Sequence, residues 1–107
     1  MVKYKNKQCH ELMVLARHFG PLNSKLRTFD IRLNDRDFKV GDYLWMREYD
    51  SVDGDGYTGR DFIKEVTYIQ RLDDFIGIDE EYVVMSIVNP WPIESDEIEA
   101  LFAGAKQ

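Results

Sequence analysis

A chain of 107 residues with a net charge of −6 and one cysteine reads as one domain with its own core and needs no second. The single Cys9 excludes an internal disulfide and a cysteine-built zinc site; it suits a reducing compartment and reads as a small buried hydrophobe. No apolar run approaches a membrane span, and the lysine-rich start over 1–7 is not followed by a signal-like segment, so the expected location is cytoplasmic.

Residues 1–7 have no period and read as a frayed terminus. Between Cys9 and Phe19 two patterns compete: Leu12, Leu15, Ala16 and Phe19 fit a helical stripe, while His10, Leu12 and Val14 fit a strand face. Gly20-Pro21 interrupts any helix here, because proline lacks an amide donor and disfavours helical geometry in the residue before it. The expectation is a strand over 9–14 and a short helix within 16–26.

The stretch 27–42 departs most from ordinary packing. Phe29, Ile31 and Leu33 alternate with Asp30, Arg32 and Asn34, the period-2 pattern of a strand buried on one face. The apolar set is expected inward, leaving Thr28, Asp30 and Arg32 side by side on an outer polar face. Asn34-Asp35-Arg36-Asp37 favours a turn, and a second turn follows at Val40-Gly41-Asp42.

Tyr43–Tyr49 is rich in aromatics and reads as a strand. A loop with Gly54 and Gly56 joins it to a strand over 62–70, and the two form a hairpin. An acidic connection over 72–81 leads to Tyr82–Val88, a near-continuous apolar run expected to be covered on both faces at the centre of the fold. Asn89-Pro90-Trp91-Pro92 stops it. Ser95 or Asp96 then caps a final helix with Ile98, Leu101, Phe102 and Ala105 at helical spacing. Five or six strands with one early and one C-terminal helix make an α+β fold, a mixed or antiparallel sheet curled into a small barrel.

The net charge argues against a nucleic-acid partner, but its distribution does not. Residues 1–47 carry ten Lys/Arg against five Asp/Glu, while 48–107 carry four against fifteen. A basic face can exist on an acidic molecule, and the acidic half could instead engage a basic protein.

Catalytic and metal motifs fail one by one. The loop at Asp53, Asp55 and Gly56 lacks the terminal glutamate of a calcium site, since Phe62 stands there. His10-Glu11 has Val14 where a zinc protease needs its second histidine, and His18, alone on its expected helix, reads as a surface or half-buried histidine ahead of a ligand or general base. No serine sits in a nucleophile elbow, and no glycine-rich phosphate loop precedes a helix. No metal or cofactor is expected.

What remains is Arg27, Asp30, Arg32, Asn34, Asp35 and Arg36, joined by Tyr57, Thr58 and Arg60 from the hairpin. Guanidinium groups recognise phosphates or base edges, Asp and Asn read exocyclic amines, and an aromatic ring stacks on a base. The same residues could serve only as an ion-pair network pinning the turns.

His10-Glu11-Leu12, Phe19, Arg27-Thr28-Phe29-Asp30-Ile31-Arg32, Asn34-Asp35-Arg36-Asp37-Phe38, Val40-Gly41-Asp42, Glu48 and Tyr57-Thr58-Gly59-Arg60, in this order over 9–88, resemble the ASCH superfamily, in its small single-domain bacterial branch of unknown function. The resemblance implies a PUA-like β-barrel and an association with RNA or a nucleotide-like ligand, bound by Arg27, Asp30, Arg32, Asn34, Arg36, Tyr57, Thr58 and Arg60. A related branch hydrolyses acetylated cytidine with a Lys, a Thr three residues later and a distant Glu; the first two positions are Arg27 and Asp30 here. Arg27 stays protonated and is a poor base, and Asp30 has no hydroxyl. A binding module is therefore expected ahead of the alternative, a small hydrolase of modified nucleosides using Asp30 or Glu48.

Overall fold

A computed structural model describes residues 8–51, 54–75 and 81–90. Five strands and one helix follow in the order β1 (Cys9–Leu15), α1 (Ala16–Asn23), β2 (Phe29–Leu33), β3 (Tyr43–Tyr49), β4 (Tyr57–Arg71) and β5 (Tyr82–Val88), with a 3₁₀ turn at Leu72–Asp74. They form one mixed sheet, β1-β3-β4-β5-β2, in which β1 runs parallel to β3 and every other pair is antiparallel. The sheet curls into a half-barrel with β1 and β2 at its two margins. The N-terminal residues 1–7, the connection at 76–80 and the expected C-terminal helix lie outside the described residues. No helix among the described residues is long and apolar enough to cross a membrane.

Two irregularities in β4 produce the curl. Between Val66 and Tyr68 one extra residue is inserted against β5, and between Arg47 and Tyr49 the β3–β4 register slips opposite 57–61. Such bulges bend a strand and increase its twist. Inside the curve Leu12, Val14, Phe19, Leu22, Phe38, Leu44, Met46, Val66, Val83, Met85 and Ile87 form the core, with Phe62 and Ile69 packed against it. α1 reaches that core through Phe19, whose ring meets Phe62 edge-on at 5.1 Å between centroids.

Three expectations are corrected. Proline does not interrupt the helix: Pro21 lies inside α1, which ends two residues later at Asn23. In so short a helix few later turns remain to feel the missing amide bond. The strand buried on both faces is β3, in which Tyr43, Leu44, Trp45 and Met46 are all buried, while β5 alternates and lies next to a margin, with β4 at the centre.

The third correction is the most consequential. The alternation in β2 is real, but its faces are reversed: Phe29, Ile31 and Leu33 are 42, 46 and 45 % exposed, whereas Asp30 is only 3 % exposed. A buried carboxylate is costly unless it is paired and hydrogen-bonded, and the pairing it receives builds the candidate site.

Candidate functional site

Asp30 points into the half-barrel from β2. Its Oδ1 accepts Arg27 Nη2 at 3.0 Å and its Oδ2 accepts Arg32 Nε at 2.8 Å. Arg27 is held at two further points, donating from Nε to the Phe29 carbonyl at 3.0 Å and from Nη1 to His18 Nδ1 at 3.1 Å. An arginine can only donate, so Nδ1 accepts and the histidine proton sits on Nε2. His18, expected to be surface or half-buried, is half-buried beside the cluster; only the fold of 16–27 brings it to Arg27.

Two guanidinium groups share one carboxylate, so the cluster keeps a formal charge of +1. Arg32 uses only its Nε here, and among the described residues its two terminal nitrogens have no hydrogen-bond partner. They are free to bind an anion through paired N–H donors. The cluster borders a cavity of about 250 Å³ lined by Met13, Val14, Leu15, His18, Leu22, Arg27, Asp30, Ile31 and Arg32. This cavity fills the gap between the two sheet margins.

The gap has two ends. At one, Arg36 Nη1 donates to the Glu11 carbonyl and ties the turn after β2 to the free edge of β1. At the other, α1 follows β1 directly and is tethered to the start of β2 through His18 and Arg27. Asn34 shapes the turn: its Oδ1 accepts the Phe38 amide at 3.1 Å. Neither Asn34 nor Arg36 lines the cavity, and Asp35 is exposed.

The hairpin residues form a second group. Glu48, on β3 opposite the irregularity in β4, accepts Thr58 Oγ1 at 2.7 Å, Arg60 Nε at 2.8 Å and Arg60 Nη2 at 2.6 Å. Hydrogen bonds from Arg60, then from Thr58, hold its carboxyl below the usual range. Gly59 sits between these donors at φ +94°, a left-handed conformation suited to glycine. A smaller cavity of about 110 Å³ lies here, lined by Trp45, Arg47, Glu48, Tyr57, Gly59, Arg60 and Asp61. The Tyr57 ring is occupied by Arg47, whose guanidinium carbon lies 4.0 Å from the ring centroid.

The residues expected in one constellation are thus divided. Arg27, Asp30 and Arg32 face the margin gap, while Tyr57, Thr58 and Arg60 surround Glu48. Helix α1 touches both groups, His18 bonding Arg27 and the Phe19 ring lying 4.6 Å from the Arg60 guanidinium carbon. An ionised Glu48 saturated by three donors is a weak base.

A family model described as a domain of unknown function (DUF3850) matches residues 9–87. The chain belongs to the DUF3850 family. The matched stretch runs from the first residue of β1 almost to the end of β5, and both groups lie inside the DUF3850 domain. No curated protein matches the chain.

Two further titratable groups among the described residues are engaged within the fold. His10 Nε2 pairs with Asp42 at 2.8 Å and its ring lies edge-on to Phe38. Lys64, buried in β4, donates to Asn89 Oδ1 at 2.7 Å, and burial lowers its pKa. Among the described residues no group of three His, Cys, Asp or Glu side chains is arranged to hold a metal ion.

Proposed function

We propose that this protein is a PUA-like binding module of the ASCH type that holds a phosphorylated nucleotide, free or as part of RNA, in the gap between β1 and β2. The observation that carries the reading is the pair Arg27 and Arg32 on the single buried carboxylate of Asp30. It gives the cavity a net positive wall with unused N–H donors, fixed before any ligand arrives. Apolar Leu15 and Leu22 beside it suit the face of a base. The curled mixed sheet and the motif set over 9–88 are consistent with that architecture.

Asp30 acts here as an organiser. Engaged through both oxygens by guanidinium groups, it aims Arg27 and Arg32 and neutralises part of their repulsion. The ligand phosphate would complete the charge balance at Arg32.

The test is fluorescence polarisation of a labelled single-stranded RNA over a salt series. Binding should weaken steeply between roughly 50 and 200 mM salt. Arg32→Ala should weaken it by roughly ten- to a hundredfold, the loss of about 1.5–3 kcal/mol for a hydrogen bond to a charged group. A flat salt response, or Arg32→Ala binding as wild type, rejects the reading.

A further inference from the structure

The ladder bonds fix which main-chain groups at the two margins are already used. The Tyr43 amide bonds the Gln8 carbonyl at 2.8 Å. In a parallel ladder residues of one parity turn both main-chain groups to the same neighbour, so 8, 10, 12 and 14 serve β3 while 9, 11 and 13 face the free side. The Arg36 bond to the Glu11 carbonyl agrees. On β2, the Ile87 amide bonds the Thr28 carbonyl at 3.0 Å and the Asn34 amide bonds the Glu81 carbonyl at 2.7 Å. The even residues of β2 therefore serve β5, and Phe29, Ile31 and Leu33 face the free side.

Met13 and Ile31 both line the gap, and neither has a ladder partner on that side among the described residues. Their side chains are exposed on the outer face of the sheet, so the main chain is what they turn inward. Each presents an N–H donor and a C=O acceptor side by side. Unpaired strand edges usually invite another strand. This gap cannot take one, because Arg36 on Glu11 closes one end and α1 closes the other. A small flat group with donors and acceptors on its rim does fit a cavity of about 250 Å³.

We propose that the main chain of Met13 and Ile31 reads the hydrogen-bonding edges of a single nucleobase in the place a sixth strand would fill, while Arg32 holds the phosphate of the same nucleotide. This rests on the reading of the gap as a nucleotide site and names its unit of recognition as one mononucleotide. Every base carries adjacent donors and acceptors on its edges. Strand main chain matches that pattern, and the adjacent guanidinium matches the phosphate.

The test is amide and arginine Nε NMR of ¹⁵N-labelled protein titrated with each of the four ribonucleoside 5′-monophosphates and, separately, with ribose 5-phosphate. At least one nucleotide should move the Met13 and Ile31 amides together with Arg32 Nε, whereas ribose 5-phosphate should move Arg32 Nε alone. Met13→Pro removes an amide that faces the free edge, where proline is tolerated. It should weaken that nucleotide about tenfold and leave ribose 5-phosphate binding unchanged. Nucleotide binding that moves Arg32 with both amides stationary, or equal affinity for ribose 5-phosphate, overturns the base-reading role and leaves the nucleotide site standing. If no phosphorylated ligand moves Arg32, the site itself fails.

Discussion

Arg32 reaches Asp30 through its Nε at 2.8 Å and not through its terminal fork. That side-on contact fixes the guanidinium while leaving its two outer nitrogens available. A head-on contact would have consumed them. The buried carboxylate is thus a structural partner whose loss affects stability before it affects binding.

Asp30→Ala is expected to destabilise the fold by about 2–4 kcal/mol, because it removes the shared counter-charge of two half-buried guanidinium groups. Arg32→Ala, which leaves Arg27 on the carboxylate, should cost less than about 1.5 kcal/mol. Urea midpoints at constant m-value measure both. Equal losses for the two variants would contradict the shared-carboxylate account.

Gly56 has φ +90°, and a Cβ there would run into the ring of Tyr49. Gly56→Ala should cost roughly 2–4 kcal/mol from backbone strain and overpacking together. Gly20 in α1 has open space around it, so Gly20→Ala should stabilise by about 0.5–1 kcal/mol. Thermal melts of the two variants should move in opposite directions.

The Glu48 carboxyl is held below its ordinary value of 4.5, chiefly by Arg60 and then by Thr58. Its folded pKa lies below the unfolded one, so its contribution to stability is present above about pH 4.5 and is lost as pH falls through the lower folded value. In Arg60→Ala the Glu48 midpoint should rise toward the ordinary value, and the acid limb of the stability curve should flatten. Carbon-detected NMR of the glutamate carboxyl reads the midpoint directly, and an unmoved midpoint would refute the clamp.

Cys9 is pushed up to about 11 by burial and by the nearby Asp42 and Glu11. At pH 8 its thiolate should be about a hundredfold scarcer than that of a free thiol, and alkylation by iodoacetamide correspondingly slow. Its folded pKa is raised, so its stabilising contribution is complete below about pH 9 and declines as pH rises toward about 11. Alkylation of native protein as fast as of unfolded chain would exclude this.

Strand positions were legible in the sequence from alternation, from an aromatic-rich stretch and from a near-continuous apolar run. Tyr43–Tyr49 and Tyr82–Val88 form where the pattern puts them, and the early strand needs only Leu15 added. β4 extends to Tyr57 and Arg71, because its bulges let it curve on beyond the apolar stretch. What the pattern does not encode is sidedness. Phe29, Ile31 and Leu33 share a face, but alternation does not say which face turns inward; in the fold it is that of Asp30, paired with Arg27 and Arg32.

The candidate site was legible by residue type and not by grouping. Arg27, Asp30 and Arg32 are close in sequence and meet. Tyr57 and Arg60 lie far along the chain, and β3, coming between, delivers them to Glu48 instead. Met13 and Ile31 carried no sequence signal, since a main-chain edge leaves no mark on residue identity.

One feature of the half-barrel sets how wide the gap can be. Its two margins are joined by the Arg36 contact to the Glu11 carbonyl, one side chain in place of a ladder. The span from Leu33 to Arg36 therefore works as a strut whose length fixes the mouth. Lengthening that turn by a residue would widen the gap without rebuilding the sheet, so on the proposed reading the choice of guest would rest on a single corner.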